Sequence, residues 1–336
     1  MNFIPKRSPR GSVTQLLLSL IALAATFLSA VFGELFVIAA SASLALIMCF
    51  EKGGKRVFSI CISILVLIIS FALGGFYSLI GAEILLVALA ISVSVSLNRP
   101  KAECAAIVTA IVTACMIGSL ALGAISVTGD ATAEAIFSYY SDLFDEVKTS
   151  FIDSTKAQIE AMPNTPGNYL ELVDSVALLF DSFIYSMISF LVIASFAVAG
   201  FTLKLFSYFI TEFSDDGSRI YEWRFTLSSI TAYATAIIII LSFFASNSTD
   251  LFSLTVVNLY NIFSIVFAYV GFRTALSFIS SKLGVFKAWL ILILAMILAF
   301  SLAEQLLAML GIYATIITNR LDNSGDLGGS DGDGNF

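Results

Sequence analysis

The chain has 336 residues, of which 59% are hydrophobic and 12% charged, against about 25% charged in ordinary soluble domains. With a mean hydropathy of +0.97, this excludes a water-soluble core and predicts an all-α, polytopic transmembrane helical bundle. The net charge of −7 is local, because residues 127–175 hold nine acids against Lys148 and Lys156.

Histidine is absent. That removes the commonest general base, metal ligand and near-neutral pH switch, and with them histidine-ligated zinc or haem and His-based triads. Cys49, Cys61, Cys104 and Cys115 are far apart without CxxC spacing. They read as small buried hydrophobes and not as a disulfide framework or metal site.

In chain order, Lys6, Arg7 and Arg10 precede an apolar run from Val13 that continues into further hydrophobic sequence, as an uncleaved first helix does. Residues 12–50 form a hairpin bent at Gly33-Glu34, and residues 57–97 a second, turning at 74–78. Residues 104–126 cross once, the acidic insert follows, and residues 176–204 cross back. Residues 226–245 and 251–272 pair across a turn at 246–250. Of the 17 Lys and Arg, 14 fall in five short segments. Such segments stay cytoplasmic, so the N-terminus faces the cytoplasm and the insert lies outside, with about eight or nine spans in all.

The run 286–318 would extend roughly 50 Å as one helix, beyond a hydrocarbon core of about 30 Å. It either tilts and protrudes or bends near Glu304 or Gly311. A single crossing puts the tail outside, and a re-entrant bend puts it inside. The Gly- and Asp-rich end, residues 319–336, has the composition of a disordered tail. The chain thus divides into a membrane block (1–126), an insert (127–175), a second membrane block (176–318) and the tail.

Within the insert, Ile136, Tyr140, Leu143, Val147 and Phe151 recur every three or four residues opposite the acids. Residues 132–161 therefore read as an amphipathic helix, ended by Pro163 to Gly167. It serves either as a lid or docking surface, or as a helix packed on the ends of the bundle. A helix from about Tyr169 runs straight into the next span. Ala106, Ala110, Ala114 and Gly118, at four-residue spacing, predict a close-packed helix central to the bundle.

The chemistry rests on polar groups within apolar runs. Asn258 and Asn261 lie three residues apart in the span that also holds Tyr260, Tyr269 and Gly271 and closes on Arg273. Glu34, Glu83, Asp181 and Glu304 fall in the outer halves of their spans on this topology. A carboxylate in hydrocarbon is expensive unless paired or hydrated, so an intramembrane acid is a site candidate. Glu304, Asn258, Asn261, Glu83 and Asp181 are the candidate ligand-binding residues. They would line an outward-facing cavity for a cationic or hydrogen-bonding solute, with Tyr260 or Tyr269 as an aromatic wall. The alternatives are headgroup contact for the acids and interhelical hydrogen bonds for the amides. There is no phosphate-binding glycine loop, nucleophile motif or cofactor fingerprint. No catalytic residue, metal ligand, cofactor or nucleic-acid partner is expected.

The segments LIMCFEKGGKR, SVSLNRPK, FITEFSDDGSRIYEWRF, NLYNIFSIVFAYVGF and MLGIYATIITNR occur in that order, with the acidic insert between the second and third. Together they resemble the YybS-like family of predicted bacterial multi-pass membrane proteins, defined by a domain of unknown function. The organisation is also similar to the substrate-binding membrane subunits of energy-coupling-factor transporters. That likeness implies capture of a small solute from outside and a separate energising ATPase module. The expectation is a non-enzymatic, transporter-like protein of the cytoplasmic membrane. The competing expectation is a structural or assembly protein of the cell envelope that acts through the insert or the cytoplasmic loops.

Overall fold

The computed structural model describes residues 12–50, 57–74, 77–97, 99–160, 168–213, 225–245, 251–298 and 300–327. Among the described residues there are eleven α-helices and no strand. Hydrocarbon favours this, since a helix satisfies its backbone polar groups internally. They are α1 (Ser12–Phe32), α2 (Glu34–Phe50), α3 (Val57–Ala72), α4 (Tyr77–Ser96), α5 (Lys101–Thr128) and α6 (Ala133–Glu160). There follow α7 (Asn168–Phe213), α8 (Ser229–Ser242), α9 (Leu251–Leu283), α10 (Val285–Leu298) and α11 (Phe300–Leu327). Segments of α4, α5, α7, α9 and α11 are long and apolar enough to cross a membrane, and α1, α2, α3, α8 and α10 are shorter apolar helices. The chain forms two compact units, residues 1–224 and 225–336.

In the first unit α2 lies at the centre, packed against α1, α3, α4 and α7. Val37, Ile38 and Ala40 to Ile47 are all buried. Ala and Ser on every side of this helix let its neighbours come close, which is how helices associate where lipid is as apolar as leucine. The small-residue stripe of α5 does not take that central place. Ala106, Ala110 and Ala114 are exposed, and α5 buries Cys104, Ala105, Val108, Thr109 and Val112 instead. Small side chains permit close approach without compelling it; here the branched face fills the contacts with α4 and α7.

Gly33 (φ 66°) joins α1 to α2 without a loop, in the left-handed conformation a glycine adopts freely. The amphipathic helix expected over 132–161 is α6. It packs on α5 and α7, where the Tyr140 hydroxyl donates to the Leu120 carbonyl at 2.8 Å and Phe151 meets Phe180 at a ring separation of 5.8 Å. The turn at 163–167 lies outside the described residues. As expected, one helix then runs unbroken through the next span: α7 has 46 residues, about 69 Å. None of the four cysteines is in a disulfide.

In the second unit α9 and α11 touch backbone to backbone. A Cβ added to Gly271 would overlap the carbonyl oxygen of Leu307, and one on Gly311 would overlap that of Phe267. Ser264 bonds Glu304 across the same interface, forty residues apart in sequence, and Gly271 faces Gly311 at the same offset. A constant offset means that α9 and α11 run parallel, so α10 runs back between them. Phe267 is fully buried and packs with Ala232 of α8 and Ala308 of α11. The Asn319 amide donates to the Leu227 carbonyl at 2.8 Å, which fastens the end of α11 to the start of α8. Ser228 caps α8 by accepting from the Thr231 backbone N–H at 3.2 Å.

Two boundaries differ from the sequence reading. Helix α9 does not stop at Arg273 but continues to Leu283, where Gly284 (φ 83°) reverses the chain. The run 286–318 falls in two helices, α10 and α11, rather than in one that bends at Gly311. Gly311 is therefore no bend; its missing side chain is what admits α9. Helix α11 runs on to Leu327. Residues 328–336 and the turn at 246–250 lie outside the described residues.

Gly271→Ala should destabilise the protein by about 1–3 kcal/mol through overpacking, seen as a lower unfolding midpoint in detergent. Gly200→Ala, where a Cβ meets nothing within 4 Å, should have little effect. Because α9 and α11 are parallel, an impermeant thiol reagent should label Ser281→Cys and Arg320→Cys from the same side of the membrane, in a background lacking the native cysteines.

Candidate functional site

The expected site residues separate into two groups. Glu83 and Asp181 belong to the first unit, and Asn258, Asn261 and Glu304 to the second. Asp181 lies on α7, but its side chain is outside the described residues.

In the second unit, Oε1 of Glu304 accepts a hydrogen bond of 2.9 Å from the hydroxyl of Ser264, which is itself buried. The Gly271–Gly311 crossing brings these two residues together, because both stand seven residues before a glycine of the contact. Seven residues are about two helical turns, so each polar side chain shares a face with its glycine. The Asn258 amide turns to its own helix and donates to the Leu254 carbonyl at 2.8 Å. Asn261 is half-buried, and neither amide is without a partner. Tyr269 stacks edge-on against Phe225 at 5.6 Å, and Phe272 meets Trp289 in the same manner at 5.3 Å. Ser264 and Glu304 thus serve the contact of α9 with α11, while Asn258 is satisfied within its own helix.

The first unit is different. Glu83 is only 4% exposed, and its Oε1 has no hydrogen-bond partner. Glu34 opens α2 next to Gly33, is half-buried, and likewise has an unpartnered buried oxygen, Oε2. Their helices, α2 and α4, pack on one another, and α5, which carries Cys115, packs on α4. Helix geometry puts Glu34 and Glu83 towards the same end of the unit. Both α2 and α4 start from turns at the same end of the unit, and Glu83 stands six residues into α4, about 9 Å down its axis. From the α4–α5 connection, Glu83 and Cys115 are each about 24 Å away along their helices.

Three hydroxyls of the same unit share this lack of a partner. Ser41, Ser70 and Thr113 each hold a buried oxygen with no hydrogen-bond partner. Ser41 stands seven residues after Glu34 on the same face of α2. Ser70 on α3 lies against Gly81 of α4 so closely that a Cβ there would stand 2.6 Å from its Oγ. Thr113 is on α5 one turn beyond Thr109. None of the three stood out in the sequence, because serine and threonine are ordinary in membrane helices and usually bond back to their own backbone. Glu34 was visible as an intramembrane acid, but its proximity to Glu83 follows from the packing of α2 on α4.

An unpaired polar atom in hydrocarbon costs several kcal/mol. The unpartnered ones here stand on four helices of the first unit, and as carboxylate and hydroxyl oxygens they suit a cation or a hydrogen-bond donor.

Among known proteins, a family model described as "Predicted membrane protein (DUF2232)" matches residues 16–313. No curated protein matches significantly, nor does any solved structure. The match runs from the second turn of α1 into α11 and takes in both units, so the chain belongs to the DUF2232 family of predicted membrane proteins.

Proposed function

We propose that this protein binds a small solute of cationic character inside the membrane, in a transporter-like manner, with Glu83 as the central ligand. The observation that carries this reading is a carboxyl group at 4% exposure with an unpartnered oxygen. On insertion scales an acid at the centre of a membrane helix costs about 2.5–3.5 kcal/mol, and a helix that needed only to pack would gain by replacing it. A purely structural carboxylate is expected to be bonded, as Glu304 is to Ser264.

The sequence resemblances agree with this role. The YybS-like organisation and the likeness to energy-coupling-factor substrate-binding subunits both suit a helical bundle that captures a solute and draws energy from a separate ATPase module. The sequence carries no nucleotide-binding loop of its own. In the second unit Arg273, Lys282, Lys287 and Arg320 sit towards the end where α9 turns into α10 and α11 finishes. By the positive-inside rule that end is cytoplasmic, and so is the end of α11. The protein is then a component of the cytoplasmic membrane.

A second reading, assembly with other envelope proteins, draws on α6. Phe137 and Val147 are well exposed there, beside the exposed acids Asp142, Asp145 and Glu146. Replacing Phe137 and Val147 by Ser would abolish partner capture on that reading and leave solute binding unchanged.

A thermal-stability screen of amines, vitamins and metal ions on the purified full chain tests the first reading. A compound that raises the unfolding midpoint of the native protein should lose that effect in Glu83→Gln. In Glu304→Gln the effect should be largely kept. A compound whose effect survives Glu83→Gln would sink the proposal.

A further inference from the structure

The apolar side of α6 is covered only in part. Tyr140 and Phe151 pack on α5 and α7, yet Phe137 is 64% exposed and Leu143 43%. These two stand three residues either side of Tyr140, so they flank it on one face of the helix. The acids Asp142, Asp145 and Glu146 are exposed on the other side.

The level of this apolar side follows from α5. Arg99 and Glu103 pair at 3.5 Å where α5 begins, and after Glu103 no charged residue occurs until Asp130. Charge is costly in hydrocarbon, so the core lies between those limits. It is about 30 Å thick and takes about twenty residues of helix. Counted from Glu103, the nearest point at which it ends is close to Gly123. The Tyr140 hydroxyl donates to the Leu120 carbonyl at 2.8 Å and would stand 3.2 Å from a Cβ placed on Gly123. Tyr140 is therefore at the far limit of the core or inside it, the depth at which an amphipathic tyrosine ring belongs. Three residues of helix advance about 5 Å at most, so Phe137 and Leu143 lie within that distance of the same level whatever the tilt of α6. Leu122 of α5 is also exposed there.

We propose that Phe137 and Leu143 insert into the lipid interface on the side of the membrane away from Arg99 and Lys101, so that lipid covers the exposed apolar side of α6. An apolar side chain at this depth meets headgroups and the upper acyl chains, as in helices that lie at a membrane surface. With Leu122 it extends the lipid-facing surface of α5. Many such helices are basic and drawn to anionic lipid. Helix α6 has six acids against Lys148 and Lys156, so what holds it is its packing on α5 and α7 together with apolar contact, and its acids turn towards water. This inference is independent of Glu83. It gives to lipid a side chain, Phe137, that the assembly reading gives to a protein.

The test uses the full chain in phosphatidylcholine nanodiscs, in a background lacking the native cysteines, with a nitroxide attached at Phe137→Cys, Leu143→Cys or Asp142→Cys. Collisions with molecular oxygen, which concentrates in lipid, should exceed those with a water-soluble nickel chelate severalfold at positions 137 and 143. Position 142 is about 200° round the helix from Tyr140, and there the nickel chelate should prevail. A second measurement needs no variant. Phosphatidylcholine carrying an aryl diazirine on its acyl chain should, on illumination, attach to Phe137 or Leu143 of the native chain, as read by mass spectrometry of its peptides.

Collisions dominated by the nickel chelate at positions 137 and 143 would place that side in water and overturn the proposal. Few collisions with either reagent at both positions would mean that protein covers it, which overturns the proposal and favours the assembly reading. Native chain that carries no adduct on either side chain overturns it as well.

Discussion

Within the second unit everything is referred to the place where α9 and α11 meet at Gly271 and Gly311. Helices in lipid gain little from burying apolar side chains against one another, since the hydrocarbon outside is as apolar as the contact inside. What holds them is close packing, and here two glycines let one backbone approach the other's carbonyl oxygens. That contact sets the forty-residue register between the helices and makes them parallel. The parallel arrangement then requires α10 to return between them. The short length of α10 and the left-handed turn at Gly284 follow from this one contact. So does the engagement of Ser264 with Glu304.

In the first unit the same rule acts through α2, whose alanines and serines admit helices on several sides. Small side chains leave polar atoms close to the helix axis, where a neighbouring carboxylate can reach them. A helix suited to the centre of a membrane bundle is therefore also suited to carry part of a polar site. Glu83 reaches this centre from α4. The contrast with Glu304 is informative, because both are half or more buried acids in apolar helices and only one has its hydroxyl partner. Two carboxyls of the same residue type thus differ in whether the fold answers them, and an unanswered one in an apolar helix is the costlier.

Much of this was legible in the sequence. Apolar runs bounded by basic clusters located nearly all the helices, and the 3.6-residue period in the insert located α6 within a residue at each end. Glu83 and Glu304 were conspicuous because charge is rare in such runs. The stripe at Ala106, Ala110 and Ala114 misled. Which face of a helix meets a neighbour depends on the shapes of both, and the α5 contacts are filled by Val108 and Val112. The length of 286–318 left one tilted helix and a bent one both open, and the choice depends on where α11 must begin so that Gly311 comes level with Gly271.

The sequence by itself determined that the protein is a helical membrane protein with an acidic amphipathic insert, and which of its residues are costly to bury. These follow from composition and periodicity, which are local and survive without knowledge of neighbours. Only the tertiary structure decided that α2 is central and that α9 and α11 run parallel. It also decided that Glu304 is answered by Ser264 while Glu83, Glu34, Ser41, Ser70 and Thr113 are left with unpartnered oxygens. Whether a hydrogen bond is made depends on what stands within about 3 Å, and that depends on the register between helices far apart in the chain.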